Sequence, residues 1–208
     1  MGYYIFSNGI NTDKIKSVFG CKDQNILESI KESDTFDNYK DFLPEGLTTT
    51  PEKALKNIIN GDPYDRKSNF AYGYAVICIC KSLGDELPYT QEIKLGYETD
   101  FINKFLKESF GVKDFTLEEV MFADNSNPFN IPKIDDWPLI GLLPNSDLKI
   151  LKEKLKDVAI TNEEIEALEN GEDEDDEEKG FAYQHIKGVI ANVDYCIVND
   201  LDLISFCH

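Results

Sequence analysis

The stretch Asn69-Phe70-Ala71-Tyr72-Gly73-Tyr74-Ala75-Val76-Ile77-Cys78-Ile79-Cys80-Lys81-Ser82-Leu83-Gly84 decides the fold. Between Asn69 and Lys81 it carries no charge, in a chain where Asp, Glu, Lys and Arg are 29% of residues. A run like that has to be covered by the rest of the molecule. Val76-Ile77-Cys78-Ile79-Cys80 is β-branched enough for a buried strand, and periodicity alone does not separate a buried strand from a buried helix. Length and punctuation do. The run exceeds an ordinary strand, Ser68 or Asn69 can cap a helix start, and Gly84 follows Leu83 where a C-terminal glycine belongs. A helix apolar on every side is a buried helix, and this one is too short to cross a bilayer. Gly73 in its interior costs about 1 kcal/mol relative to alanine, so a neighbour is expected to pack closely there.

On the N-terminal side, Tyr3 to Ser7 reads as a short strand broken by Asn8-Gly9. Thr12 and Asp23 cap two short helices, and Thr50-Pro51-Glu52 opens a third with a cap, a proline at the first position and an acid. Ser33 to Leu47 is aromatic but irregular. On the C-terminal side, Ile93-Lys94-Leu95 suits a short strand, and Thr99-Asp100 opens an amphipathic helix. Thr116-Leu117-Glu118-Glu119 and Thr161-Asn162-Glu163-Glu164 are capping boxes, and Ser146-Asp147 starts a helix between them. Asp124 to Pro144 is the longest irregular segment. It holds four prolines, the only tryptophan (Trp137) and the apolar Leu139 to Leu143, and it reads as a packed strap. Gly171 to Gly180 is an acidic low-complexity run, expected as a mobile loop within a single domain spanning 1–208. A last helix is predicted from about Phe181 to Cys196. Leu201 to Cys207 alternates like a half-buried strand and is expected to pair with Tyr3 to Ser7. The class is therefore α+β: a mostly helical single domain with a buried central helix and a small sheet joining the N- and C-terminal strands.

Charge narrows the function. Forty acids against 21 Lys and Arg give a net charge of −19, and the acids from Glu172 to Glu178 are only part of the excess. Such a field disfavours nucleic-acid backbones and favours a basic protein partner. No stretch is long and apolar enough for a transmembrane helix, so no membrane role is expected. The N-terminus lacks the basic and apolar regions of a secretion signal. Five cysteines without a framework spacing suit a reducing cytoplasm.

No motif carries chemistry. His185, beside Gln184 and Lys187, reads as a surface histidine. Cys207 and His208 are adjacent on a strand and point to opposite faces, which works against chelation. Cys78 and Cys80 diverge by about 200° on a helix and do not share one metal. The acidic run lacks the glycine and distal glutamate of a calcium loop. No nucleophile elbow, phosphate loop or dinucleotide fingerprint occurs, so no catalytic, metal or cofactor residue is assigned.

Ser17-Val18-Phe19-Gly20, Ala54-Leu55 with Ile58-Ile59-Asn60-Gly61, Tyr72-Gly73-Tyr74-Ala75 with Leu83-Gly84, Pro138-Leu139-Ile140-Gly141 and Ile204-Ser205-Phe206-Cys207-His208 form a spaced set over nearly the whole chain. In these positions the chain resembles an uncharacterised bacterial family catalogued only as a domain of unknown function. The resemblance implies a bacterial, intracellular, single-domain protein and brings no catalytic residue with it. Two readings follow. The first is a non-catalytic cytoplasmic binding protein, immunity- or antitoxin-like, engaging a basic partner through Glu172, Asp173, Glu174, Asp175, Asp176 and Trp137. The alternative is an enzyme or small-ligand protein with a pocket between the Asp124–Pro144 strap and the Tyr72–Tyr74 part of the core helix. A structural subunit is a third.

Overall fold

The computed structural model describes residues 2–122, 128–171 and 173–208. Strand β1 (Tyr4–Ile10) is followed by helices α1 (Thr12–Ser17), α2 (Gln24–Lys31), α3 (Asp34–Tyr39), α4 (Pro51–Asn60) and α5 (Asn69–Leu83). Then come β2 (Ile93–Lys94), α6 (Tyr97–Phe110), α7 (Leu117–Phe122), β3 (Leu139–Leu143), α8 (Asn145–Lys154), α9 (Asn162–Glu169), α10 (Glu174–Val198) and β4 (Asp202–Cys207). The four strands form one antiparallel sheet in the order β2-β1-β4-β3. The two strands nearest the chain ends are the inner pair, with Ile5 opposite Cys207 and Ile10 opposite Asp202. The fold is α+β, as the patterning predicts.

Local chemistry sets the helix ends. The Asn25 N–H donates to the Asp23 carboxylate at 2.8 Å, and Thr50 Oγ1 accepts from Lys53 N–H at the start of α4. Gly61 ends α4 in the left-handed conformation (φ 70°), which glycine adopts without strain. Both capping boxes form: Thr116 N–H donates to Glu119 at 2.9 Å, and Thr161 N–H to Glu164 at 2.8 Å. Ser33 caps α3 inside the region expected to be irregular; its hydroxyl accepts from Phe36 N–H.

The core helix is where its sequence puts it, with every residue from Phe70 to Cys80 buried. Among the described residues there are two buried clusters, one on each face of the sheet. Phe6, Ile140, Ile204 and Phe206 face the cluster around α5, whereas Ile5, Leu203 and Cys207 face a second cluster built with α6, α8 and α10. β4 is thus covered on both faces instead of half-buried, because it lies in the middle of the sheet. The sheet, rather than α5, is the layer common to both halves.

Three further expectations are corrected. Leu139 to Leu143 is an edge strand, paired residue for residue with β4, and not an irregular strap. The acidic run expected as a loop over 171–180 is helical from Glu174, and the Asp173 carbonyl accepts from Asp176 and Glu177 N–H. Acids in a first helical turn are favoured by the exposed N–H groups there, so the run starts a helix instead of interrupting one. Gly84 is extended (φ −88°) rather than left-handed. Glycine is required there by crowding: a Cβ would lie 2.5 Å from the Cys80 carbonyl oxygen and 2.8 Å from that of Gly9. Residues 123–127, at the start of the Asp124–Pro144 segment, and Glu172 lie outside the described residues. Among the described residues no helix is long and apolar enough to cross a membrane.

Candidate functional site

Helical spacing puts Phe70 and Tyr74, one turn apart on α5, on the same side of that helix. Phe42, from the loop after α3, meets both rings edge-on at centroid distances of 5.6 and 5.3 Å. Tyr3, just before β1, stacks on Trp137 with centroids 3.8 Å apart and planes 13° from parallel. These five rings come from four separate stretches of chain and, with Tyr4 beside Tyr3, line an open cleft of about 780 Å³.

Two contacts seat the Trp137 segment on α5. A Cβ on Gly73 would lie 2.7 Å from Ile134 Cδ1 and 2.8 Å from Pro138 Cδ, so the close packing expected at this glycine is present. Asn69 Nδ2 donates to the Lys133 carbonyl at 2.8 Å and to the Asp135 carboxylate at 3.1 Å. Tyr74 therefore faces the cleft beside this segment. Tyr72, the other end of the expected wall, does not. It is fully buried, and its hydroxyl accepts from Asp65 N–H at 2.7 Å and from Asn57 Nδ2 at 3.1 Å.

His208, after the last residue of β4, also lines the cleft. Its Nε2 lies 2.6 Å from the Tyr39 hydroxyl. Burial lowers the imidazole pKa, with the nearby Glu92 charge a weaker opposing effect, and burial raises that of the Tyr39 hydroxyl. Both partners of this hydrogen bond are therefore neutral at neutral pH. Burial, and after it the Asp136 carboxylate, raises the Tyr74 hydroxyl pKa as well. None of the described residues lining the cleft is Lys or Arg, and Asp136 is the one acid.

A second polar cluster is sealed. His185, expected on the surface, has no exposed area. The reason is non-local: the segment after α5 folds back over α10, and the Tyr89 hydroxyl reaches His185 Nδ1 at 2.7 Å. Asn192 brackets the Tyr89 backbone, accepting its N–H at 2.9 Å and donating to its carbonyl at 2.9 Å. Gly188 lies between the two, where a Cβ would come within 2.2 Å of the Tyr89 ring. His185 Nε2 lies 3.4 Å from the Glu98 carboxylate but makes no hydrogen bond with it. Burial still pulls the imidazole pKa down to about 4.

The residues proposed from sequence for partner binding separate in space. Trp137 is in the cleft. Asp173 and Asp175 are exposed and Asp176 half-buried at the start of α10; Glu174 opens that helix, and none of these lines the cleft. Cys78, Cys80, Cys196 and Cys207 are buried; burial pushes the thiols of Cys78, Cys196 and Cys207 up to about 12, so they stay protonated. Among the described residues no group of His, Cys, Asp and Glu is placed to hold a metal ion. Sequence reasoning missed Tyr3, Phe42, Asp136 and His208 as cleft residues. The one available signal was the density of aromatic residues near the N-terminus and between Phe36 and Phe42.

A family model described as Domain of unknown function (DUF7691) matches residues 1–208. No curated protein and no solved structure matches the chain.

Proposed function

We propose, for a chain that belongs to this family of unknown function, that it is a binding protein and that the aromatic cleft is its recognition site. One observation carries the reading. Rings from distant parts of the chain converge on one open cleft, and three of them stay in water, Tyr3 at 47%, Tyr4 at 37% and Phe42 at 48% exposure. Leaving a large apolar side chain in water forgoes about 1.5–3 kcal/mol of burial, and a clustered exposed apolar surface marks a place where something else covers it. The volume is in the range of small-molecule sites.

Binding is favoured over turnover by the groups that could move protons. The His208 imidazole is made less basic and its Nε2 is occupied by Tyr39; the Tyr39 and Tyr74 hydroxyls are made less acidic. General acid–base groups work best with pKa values near the working pH, and these are moved away from it.

Trp137 is the only tryptophan, so its fluorescence reports on the cleft alone. The neutral dye N-phenyl-1-naphthylamine is expected to saturate one site with energy transfer from Trp137, and Tyr74→Ala to weaken that site at least fivefold. Non-saturable dye binding that Tyr74→Ala leaves unchanged would overturn the cleft as the recognition site.

A second reading rests on the acidic residues Asp173, Asp175 and Asp176 at the start of α10 in a chain of net charge −19. They form a surface suited to a basic protein partner, with nucleic acid disfavoured. A partner retained from the cell's own lysate in low salt should be released at about 0.5 M salt, where charges are screened beyond a few ångströms. It should also be lost when these three acids become asparagine. Retention by that triple variant would refute this reading.

A further inference from the structure

We propose that the ligand of the cleft is a small organic cation, a substituted ammonium group held against the ring faces. This rests on the cleft being the recognition site and adds the charge of what it takes.

The face of an aromatic ring is the negative end of its quadrupole, and a cation within about 6 Å of several such faces is attracted without giving up an apolar surround. The described lining supplies six rings, two of them in the Tyr3–Trp137 stack at its exposed side. Rings alone would serve a neutral ligand equally well. The charges around them decide the sign.

Asp136 is exposed and adjoins Trp137 in sequence, and its carboxylate acts on the Tyr74 hydroxyl, so its field reaches the ring cluster. No Lys or Arg is among the described lining residues; the stem of Lys94 packs at Gly2 on the margin, with its ammonium over the Tyr97 ring, which does not line the cleft. Among the described lining residues His208 is the one group that could carry a positive charge. Burial holds it neutral at neutral pH, and Tyr39 occupies its Nε2. Glu92 adds a further negative charge near His208. The chain as a whole, at −19, concentrates cations and repels anions, so phosphates and carboxylates are disfavoured. The Tyr74 hydroxyl, kept protonated, is a neutral hydrogen-bonding group beside the rings. A substituted ammonium fits where a simple metal ion does not, because the wall is apolar and holds a single carboxylate. The volume suits a free small molecule.

The experiment compares choline with its neutral carbon isostere, 3,3-dimethylbutan-1-ol, by Trp137 fluorescence and calorimetry on the full chain. Choline is expected to bind at least tenfold more tightly. Asp136→Asn, a surface change checked for folding by circular dichroism, is expected to reduce the ratio of choline to isostere affinity at least threefold. Equal affinities with N-phenyl-1-naphthylamine still saturating would overturn the cation and leave the cleft standing. Failure of cation, isostere and dye together would overturn both. A peptide carrying trimethyllysine that binds more than tenfold tighter than choline would overturn the small-molecule source.

Discussion

His185 shows how one side chain can report on the fold through pH. The Tyr89 hydroxyl, made a poorer acid by burial, stays protonated beside Nδ1, while Nε2 lies 3.4 Å from the Glu98 carboxylate without a hydrogen bond to it. The folded group takes up a second proton only at about pH 4, whereas an unfolded histidine does so near 6.5. Between those values the unfolded chain binds the extra proton and the folded one does not. The stabilising contribution is therefore complete above about pH 6.5, is lost as pH falls towards 4, and levels off below. The shift sets a ceiling of about 3 kcal/mol on that loss. Urea unfolding at pH 7 and pH 5 should show a smaller drop in stability for His185→Gln than for the native chain. His208, lowered in the same direction, leaves part of the slope in place. Equal slopes would mean that Glu98 holds the imidazole charged in the fold.

At the scale of elements, the contact between α5 and the Trp137 segment turns on Gly73. In an open helix Gly→Ala gains about 1 kcal/mol. Here the added methyl would meet Ile134 Cδ1 at 2.7 Å and the Pro138 ring at 2.8 Å. The isoleucine tip can rotate away; the proline ring has no rotamer to change. Overpacking costs about 1–3 kcal/mol, so the net sign reverses. Gly73→Ala should lower stability in denaturant titration and change Trp137 emission, because the segment that moves carries the Tyr3–Trp137 stack. A variant more stable than the parent, with unaltered emission, would show that the segment is not seated there. The same contact illustrates what sequence can carry. Gly73 is conspicuous because it interrupts an apolar helix, and the caps at Asp23, Thr50, Thr116 and Thr161 are legible because cap and helix are within three residues of each other. β3 was illegible because Leu139 to Leu143 has one β-branched residue between two prolines, and only pairing with β4 makes it a strand. The cleft was half-legible. Trp137 and the face of α5 stood out, and the pairing of β1 with β4 was legible, but no local pattern marked Tyr3 and His208 as the residues that this pairing brings to the cleft.

For the whole molecule the question is whether its charges hold the fold together or strain it. Ion pairs such as Lys56–Glu52 and Lys152–Asp194, both at 2.8 Å, are partly exposed on both sides. Exposed pairs contribute about 0–1 kcal/mol each and weaken in salt. Against them stand 40 acids facing 21 bases, so at least 19 acids have no base of their own to pair with. Like charges over a compact surface repel, and added salt relieves that repulsion as the screening length falls from about 30 Å at 0.01 M to about 8 Å at 0.15 M. Screening removes both terms, and the larger one sets the direction. The excess of acids makes repulsion the larger. Raising sodium chloride from about 0.01 M to 0.15 M at pH 7 should therefore raise the Tm; a net gain of about 1 kcal/mol corresponds to roughly 2–4 °C for a chain of this size. Both sheet faces are buried under helices, so the acids that repel are on the helical layers, and the gain should appear as a shift of the whole transition. A Tm that falls with salt would mean that the surface pairs outweigh the repulsion, and that the acidic excess is placed to be neutralised within the molecule instead of by what it binds.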